Sequence, residues 1–475
     1  MIPFFLNWEV KTNAEFLYRL QRIYKDVEML ERKAAGDPNT SDKIAEKILD
    51  IYRLCKYNTG LLLPYFFPAY PYDKPLSCTA RPYAYAMFHM QIGGFMAFRA
   101  GRQIGKALEE NEPCLTPGGW VRISDIKVDD IVYDGLGNPT QVTGVYPQGV
   151  RPTYKMTFTD GSHSVCDEEH LWLCKKGGKS RNFSVRSLKQ IRARKGRDNP
   201  TSDQGIRIPL TRPIQFPEVE HYIKPYTLGL LLGDGCLSKT GTMGFTSADP
   251  ELGAYLNTQD GIRATLGNNY QYRISNDAEC ANKHNSKFIQ EITRLDLRHT
   301  AEFKHIPVEY IYDSVENRLE LLRGLMDTDG TIYGKCQVEY YSTSRTLAEQ
   351  VQFLVQSLGG KATIKEKQGY YKKMGLRVDC KLCYRVMIKI QDINPFRLKR
   401  KVDRFYNIRY ERTRVLKKIE YTGEANTVCI TVASPTKTFI TRDCIVTHNS
   451  SSFAARQLIN AHIIPKHRSM YIVPH

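Results

Sequence analysis

The chain has 475 residues, 41% of them hydrophobic, with 68 Lys and Arg against 50 Asp and Glu for a net charge of +18. That length accommodates about two to four domains, and the positive excess fits a polyanionic partner, nucleic acid first. No run of about 18 apolar residues occurs, Met1–Leu6 lacks the basic flank of a secretory signal, and the 12 scattered cysteines form no disulfide framework. The chain is therefore expected to work without a membrane, in a reducing, cytoplasmic compartment.

Residues 14–33 place Phe16, Leu17, Leu20, Ile23, Val27 and Leu30 near helical period, and Ser41 caps a second helix striped by Ile44, Ile48, Ile51 and Leu54. The Pro- and Tyr-rich stretch 64–82 reads as extended loop, and apolar residues 87–100 lead to Gly101. After Ala107 the character changes. Ile131–Tyr133, Gln141–Tyr146, Thr153–Phe158 and Ser162–Cys166 are short strands separated by Gly-containing turns, a small all-β module. Lys175–Arg197 is strongly basic, either a solvated linker or a DNA-contacting loop. Between 220 and 415 two apolar segments end alike, Leu228–Gly235 and Leu322–Gly330. Similar strings follow them, Phe245–Leu252 and Tyr341–Leu347, so the region is an internal duplication. Residues 426–449 return to short β-like runs. Residues 450–475 hold a helix, with Phe453, Ala454, Leu458 and Ile459, and a strand, Ser469–Val473.

The two ends of the Ala107–Asn449 stretch carry chemistry. Gly101-Arg-Gln-Ile-Gly105-Lys106, joined to Ser450-Ser451, makes a phosphate-binding loop. Its amides would cradle phosphates, Lys106 would reach the terminal phosphates of ATP, and a Ser hydroxyl would meet Mg²⁺. Here the Lys and the Ser are held apart by everything between. At the far junction, the Asn449 side-chain amide can attack its own backbone carbonyl, forming a succinimide and breaking the 449–450 bond. His448 supplies the proton the leaving amine needs, and Ser450 supplies a hydroxyl nucleophile.

These features make residues 107–449 resemble an intein, with a β-rich splicing (Hint) module split around a LAGLIDADG homing endonuclease. The motifs that carry the resemblance are Ala107–Gly119, Asp160–Leu173, Thr427–Val432 and Ile445–Asn449. Most inteins begin with Cys or Ser; this one begins with Ala107, which has no nucleophile. Either a natural nucleophile has been replaced, or the chain resembles class 3 inteins, which borrow an internal Cys. The class 3 marker is a Trp, a Cys and a Thr, matched by Trp172, Cys429 and Thr447. The resemblance then implies that Cys429 attacks the Lys106 carbonyl, that Ser450 takes over the acyl group, and that Asn449 cyclises. His170 resembles the histidine that assists breakage of the upstream bond, although its usual Thr companion is replaced by Asp167. A bland alternative for His170 is a zinc site with Cys166 and Cys174, which lacks a fourth ligand. Cys114, Cys444 and the Cys380/Cys383 pair read as structural or incidental.

The duplicated segments resemble two-motif LAGLIDADG enzymes. Small Gly residues would let two helices pack closely, bringing Asp234 and Asp329 together to hold Mg²⁺. The earlier acid of the motif is Leu232 in the first copy and Asp327 in the second. Lys304, in Phe303-Lys-His-Ile-Pro307, is the candidate for activating water, with Lys389 a weaker one from the second half. Double-stranded DNA would lie on two sheets, with Lys361–Arg377, Lys399–Lys401 and Lys417–Lys418 as further positive surface, the enzyme acting as a monomer. The flanks resemble the nucleotide loop of phage terminase large subunits, whose packaging partners and ATPase activity would belong to the joined protein in an infected bacterium.

The expected organisation is multidomain: 1–106 and 450–475 as α/β phosphate-loop ATPase pieces, 107–175 and 416–449 as the all-β splicing module, 176–219 as linker or DNA contact, and 220–415 as an α+β LAGLIDADG endonuclease. A stand-alone DNA endonuclease without splicing is the competing expectation. It explains the acid motifs and the charge but not the matched junctions.

Overall fold

The computed structural model describes residues 19, 22, 107–177, 182–195, 205–237, 243–275, 287–334, 337–373, 376–407 and 409–448. The helices expected within 14–54, the loop at 64–82, the phosphate-loop residues Gly101, Gly105, Lys106 and Ser451, the junction residues Asn449 and Ser450, and the 450–475 elements lie outside the described residues, apart from isolated helical positions at Arg19 and Arg22. Gln103–Ser450 forms one compact unit.

The unit begins with β1 (Leu108–Glu109), β2 (Pro113–Thr116), β3 (Gly119–Arg122), β4 (Ile131–Tyr133), β5 (Pro139–Phe158), β6 (His163–Asp167), β7 (Leu171–Lys176), β8 (Ser184–Ser187), helix α1 (Leu188–Lys195) and β9 (Ile206–Pro209). The middle contains α2 (Pro225–Gly233), β10 (Gly235–Cys236), β11 (Gly244–Thr246), α3 (Pro250–Leu256), β12 (Arg263–Leu266), β13 (Gln271–Ser275), α4 (Lys287–Arg294) and α5 (Val308–Ile311). Then come α6 (Val315–Thr328), β14 (Gly330–Tyr333), β15 (Gln337–Ser342), α7 (Arg345–Ser357), β16 (Lys361–Lys373), β17 (Leu376–Lys389) and α8 (Lys399–Val402). The unit closes with β18 (Thr413–Val432), β19 (Thr438–Thr441) and β20 (Ile445–His448).

The all-β module is built from both ends of the unit. Its strands run in the order β3-β2-β19-β20-β7-β9-β18-β1-β6-β5-β4, with β8 on β7 and a further β18–β5 pairing. The expected strands at 141–146 and 153–158 are one long β5, paired with β18 from Val142–Val432 to Phe158–Leu416. Inward residues include Val142, Met156, Phe158, Trp172, Ile430 and Phe439. Burying one such side chain contributes roughly 1.5–3 kcal/mol, so this core explains why the halves find each other across the intervening chain.

The 176–219 segment is not a linker. β8 pairs along β7 from Leu171–Ser187 to Cys174–Ser184, β9 bridges β7 and β18, and Leu188 and Ile191 of α1 are fully buried. Two basic residues of α1 are partnered inside the module: Lys189 with Glu168 and Glu169, and Arg192 with Glu168 and over the Tyr154 ring at 4.1 Å. β18 likewise starts at Thr413 rather than 416, because Thr413–Val415 pair with β9.

The middle region is two copies of one motif. Each has a helix ending in an acid, α2 and α6, followed by a four-stranded antiparallel sheet, β10-β11-β13-β12 and β14-β15-β17-β16. Backbone bonds repeat as well: the Asp234 carbonyl accepts from the Thr246 N–H at 3.1 Å, and the Asp329 carbonyl from the Tyr341 N–H at 3.3 Å. The helices pack backbone to backbone at Gly229 and Gly324. A Cβ at Gly229 would lie 2.5 Å from the Leu321 carbonyl oxygen and 2.8 Å from Gly324 Cα.

The middle region docks on the β-module through Leu115, Tyr133, Ile214, Phe216, Ile440 and Cys444, packed with Trp120, Tyr312 and Phe353. Trp120 meets Phe353 edge-on at 5.8 Å. Fully buried Arg318 of α6 donates to the carbonyl oxygens of Asp313 and Ile214 and to the Ser357 hydroxyl, and burial brings its guanidinium down to about 10.

Substituting Gly324→Val forces methyl groups into the α2–α6 contact. It is expected to lower the denaturant midpoint of the middle region by the equivalent of about 1–3 kcal/mol or more. An unchanged midpoint would contradict the close backbone packing.

Candidate functional site

Two sites emerge, one at the ends of the β-module and one between the duplicated helices. The first depends on β1. Leu108 pairs with Val428 of β18 on one side and with Cys166 of β6 on the other. Both pairings are antiparallel, so one step further Ala107 stands opposite Cys429 and Asp167. Opposed residues in such pairs have Cβ atoms about 4.5–5.5 Å apart on one face. The Ala107 carbonyl accepts from the Asp167 N–H at 3.0 Å, and Ala107 is fully buried. Cys429 thus stands where the missing side chain of Ala107 would otherwise have placed a nucleophile.

The downstream end arrives on β20. The chain turns into it through two left-handed non-glycine residues, Asp443 at φ 57 and Cys444 at φ 52. Such backbone is uncommon outside glycine and costs energy; the Asp443 carbonyl accepts from Arg414 at 2.5 Å, and its carboxylate accepts from the His163 N–H at 3.3 Å. β20 then pairs with β7, His448 opposite Leu171. This brings Thr447 to His170: Nε2 and the hydroxyl are hydrogen-bonded at 2.5 Å, with both residues buried. Trp172, fully buried, meets the His170 ring edge-on at 5.3 Å. Of the expected splicing residues the structure therefore brings His170, Trp172 and Thr447 into one cluster, puts His448 on the next position of β20, and aligns Cys429 with Ala107.

Three other thiols of the module are poor nucleophiles. Burial pushes Cys114 and Cys444 up to about 12, and Cys166 well above its ordinary value. Among the described residues no group of three or more His, Cys, Asp or Glu is placed to hold a metal ion.

The second site lies at the C-terminal ends of α2 and α6. Asp234 and Asp329 follow those helices, and their backbone N–H groups donate to Leu230 and Leu325, each at 3.1 Å. Burial raises Asp234 to about 6, and burial followed by the Asp234 charge raises Asp329 to about 7. Asp329 therefore feels the charge of Asp234. Asp327 is not part of this pair; its carboxylate accepts from Tyr226 at 2.7 Å and from the Arg397 and Leu398 amides, clamping the loop beside α6.

Lys304 Nζ donates to the carbonyl oxygens of Leu232, Gly233 and Gly235 at 2.7–2.8 Å. Its mate in the second copy is Lys401, not Lys389. Lys401 Nζ donates to Met326, Asp327 and Gly330 at 2.7–2.8 Å and to Thr328 at 3.3 Å. Lys389 lies at the end of β17 opposite Lys361. Lys399–Lys401 was expected as surface charge; instead Lys401 is buried and Arg400 forms a two-pronged bond to Asp249 in the other copy. A spacing signal existed: Lys304 follows Gly235 by 69 residues and Lys401 follows Gly330 by 71. Burial holds both ammonium groups below their usual range, Lys401 at about 8. The β16–β17 hairpin exposes Lys365, Lys367, Tyr370, Arg377 and Lys381.

Residues 316–390 match the family model described as a LAGLIDADG-like domain. That match falls on α6 through β17, the second copy of the duplication. Curated relatives are the replicative DNA helicase DnaB of Mycobacterium intracellulare, 30% identical over 274 residues (54% of this chain and 43% of that protein), and that of Mycobacterium leprae, 31% identical over 90 residues (19% and 14%). The chain thus spans less than half the length of these relatives. A crystal structure of an MchDnaB-1 intein variant is similar with a TM-score of 0.23 and 11% identity, covering 72% of this chain and all of that one.

Because both acids sit above the ordinary carboxyl range, folding gains from their protonation. The gain is complete below the ordinary value of 3.8 and is lost as pH rises through about 6 for Asp234 and about 7 for Asp329. Asp329→Asn is expected to match the parent in thermal unfolding near pH 4 and to exceed it increasingly up to about pH 7. Superimposable Tm profiles would show that Asp329 is not held in a desolvated, charge-crowded site.

Proposed function

We propose that residues 107–449 are a class 3 intein that excises itself and joins Lys106 to Ser450, and that its LAGLIDADG-like domain cuts double-stranded DNA. The observation that carries the splicing reading is the strand register that sets Cys429 beside Ala107. In the first step Cys429 Sγ attacks the Lys106 carbonyl carbon and the Ala107 nitrogen leaves, giving a branched thioester. The Ser450 hydroxyl then takes the acyl group, Asn449 cyclises and releases the Ser450 amine, and an O-to-N shift leaves a peptide bond. His170, bonded to Thr447, would assist breakage of the upstream bond, and His448 would supply the proton at the downstream junction. Trp172 supports the His170 ring from the core.

For the nuclease, Asp234 and Asp329 suit a divalent cation. They are hard oxygen donors whose mutual repulsion a cation would relieve, with phosphates and water completing its shell. Bound there, Mg²⁺ would supply Lewis-acid stabilisation of the scissile phosphates. Lys304 and Lys401 fix the helix ends that present the acids, and their ammonium groups face the same charge. The exposed basic and aromatic residues of β16 and β17 suit a DNA backbone.

The interrupted protein is proposed as a phosphate-loop ATPase with a site built from Gly101, Gly105, Lys106, Ser450 and Ser451. The matched relatives are named replicative DNA helicases, so the terminase label rests on the flanking residues alone.

Cys429→Ala is expected to abolish cleavage between Lys106 and Ala107, read by gel and mass spectrometry, while purified Asp234→Asn/Asp329→Asn protein still splices but no longer cuts DNA carrying the joined coding sequence. Normal splicing by Cys429→Ala would end the class 3 reading. Cutting by the double variant would mean that other groups hold the cation.

A further inference from the structure

Tyr340 belongs to the second copy of the duplicated motif. It lies on β15 opposite Gly330, the residue after Asp329, and the next N–H along the strand, that of Tyr341, donates to the Asp329 carbonyl. In the first copy the matching position, opposite Gly235, is Phe245. Both rings are buried in one core, Phe245 at 1% and Tyr340 at 0% exposure. At this position the two copies therefore differ by a single hydroxyl. That hydroxyl has no hydrogen-bond partner among the described residues. Ser342, two positions on along the same face of β15, is a polar neighbour, and its own hydroxyl accepts from the Ser344 N–H at 3.0 Å. Burying an O–H without a partner is costly, and Phe, as in the first copy, would fill the same space without that cost. The acids that face the phenol are Asp329 and, with less effect, Asp234. Burial, followed by the Asp329 charge, pushes it well above its ordinary range, so it stays an O–H donor behind the acid pair.

We propose that Tyr340 is a positioning residue of the acid pair: its hydroxyl donates to a water shared with the Asp329 carboxylate, and so orients that carboxyl for a divalent cation. The inference rests on the reading of Asp234 and Asp329 as the cation-binding acids and adds the group that aims one of them. A shared water gives the buried donor its acceptor and fills a lone pair of the carboxylate at the same time. With one carboxyl oxygen held from behind, the other is left for the cation, and outer bonds of this kind set both the direction and the affinity of a ligand. Asp234 has no equivalent support from its own copy, because Phe245 carries no donor. The two halves of the duplication are therefore unequal, with Asp329 the more firmly directed of the two acids.

The test uses the protein as expressed and Mn²⁺ alone as the probe, which takes the same oxygen donors as Mg²⁺. Binding is measured by isothermal titration calorimetry at about pH 8, above the values of about 6 and 7 of the two acids, and thermal unfolding is followed with EDTA and with Mn²⁺. Tyr340→Phe keeps the ring and recreates the residue of the first copy. It is expected to weaken Mn²⁺ binding about tenfold or more and to shrink the rise in Tm that Mn²⁺ produces, while its Tm in EDTA is no lower than the parent's, since a donor without a protein partner is removed. A hydroxyl that only braces the core, by bonding Ser342, gives the opposite pattern. Parental Mn²⁺ affinity in Tyr340→Phe, or a lowered Tm in EDTA, would therefore overturn the proposal. If Asp234→Asn/Asp329→Asn protein binds Mn²⁺ as tightly as its parent, or the parent binds none, the acid-pair reading fails first and takes this one with it. If the double variant loses Mn²⁺ while Tyr340→Phe keeps it, only the role of Tyr340 falls.

Discussion

Everything at the Ala107 end of the β-module depends on two residues of β-strand. Leu108–Glu109 are inserted between β6 and β18, strands far apart in sequence. A strand register is a rigid ruler, because a slip of one residue turns every side chain to the opposite face. Holding Leu108 against Val428 therefore fixes what lies opposite Ala107, namely Cys429. The same ladder places the Asp167 amide on the Ala107 carbonyl.

The nuclease end rests on a different constraint, the absence of Cβ atoms at Gly229 and Gly324. With those absent, two helices approach closely enough for Asp234 and Asp329 to perturb one another. Lys304 and Lys401 then occupy the carbonyl groups that each helix leaves unpaired at its C-terminal end, where a cation is favoured. The two modules also share an apolar contact that reaches Cys444, immediately before β20. The strand that carries Thr447 and His448 is thus buttressed by the duplicated middle region, and the buried Arg318 ties the connecting segment at Ile214 to α6.

Much of this was legible in the residues. The all-β module and the duplicated acids followed from alternation, turn residues and repetition. The 176–209 segment was misread because its charge masked a weak pattern: Leu188 and Ile191 lie three apart on one helix face, and Ile206 and Ile208 alternate as in a strand. Its Lys189 and Arg192 find acids, Glu168 and Glu169, that only the fold brings near. Lys401 was missed because the Lys-x-Ile-Pro string has no copy in the second half, so position within the repeat, and not local sequence, identified it. Asp167 was noted as a departure from the usual Thr; its place beside Ala107 needed the sheet. Long-range pairing such as Leu108 with Val428 leaves no local signature at all.

The most direct measurement is the intact mass of the protein after expression in bacteria. The account predicts two species despite Ala107: free 107–449, ending in a succinimide or its hydrolysis product, and a joined chain in which Lys106 precedes Ser450. Only the full-length mass, unchanged on prolonged incubation, would contradict it.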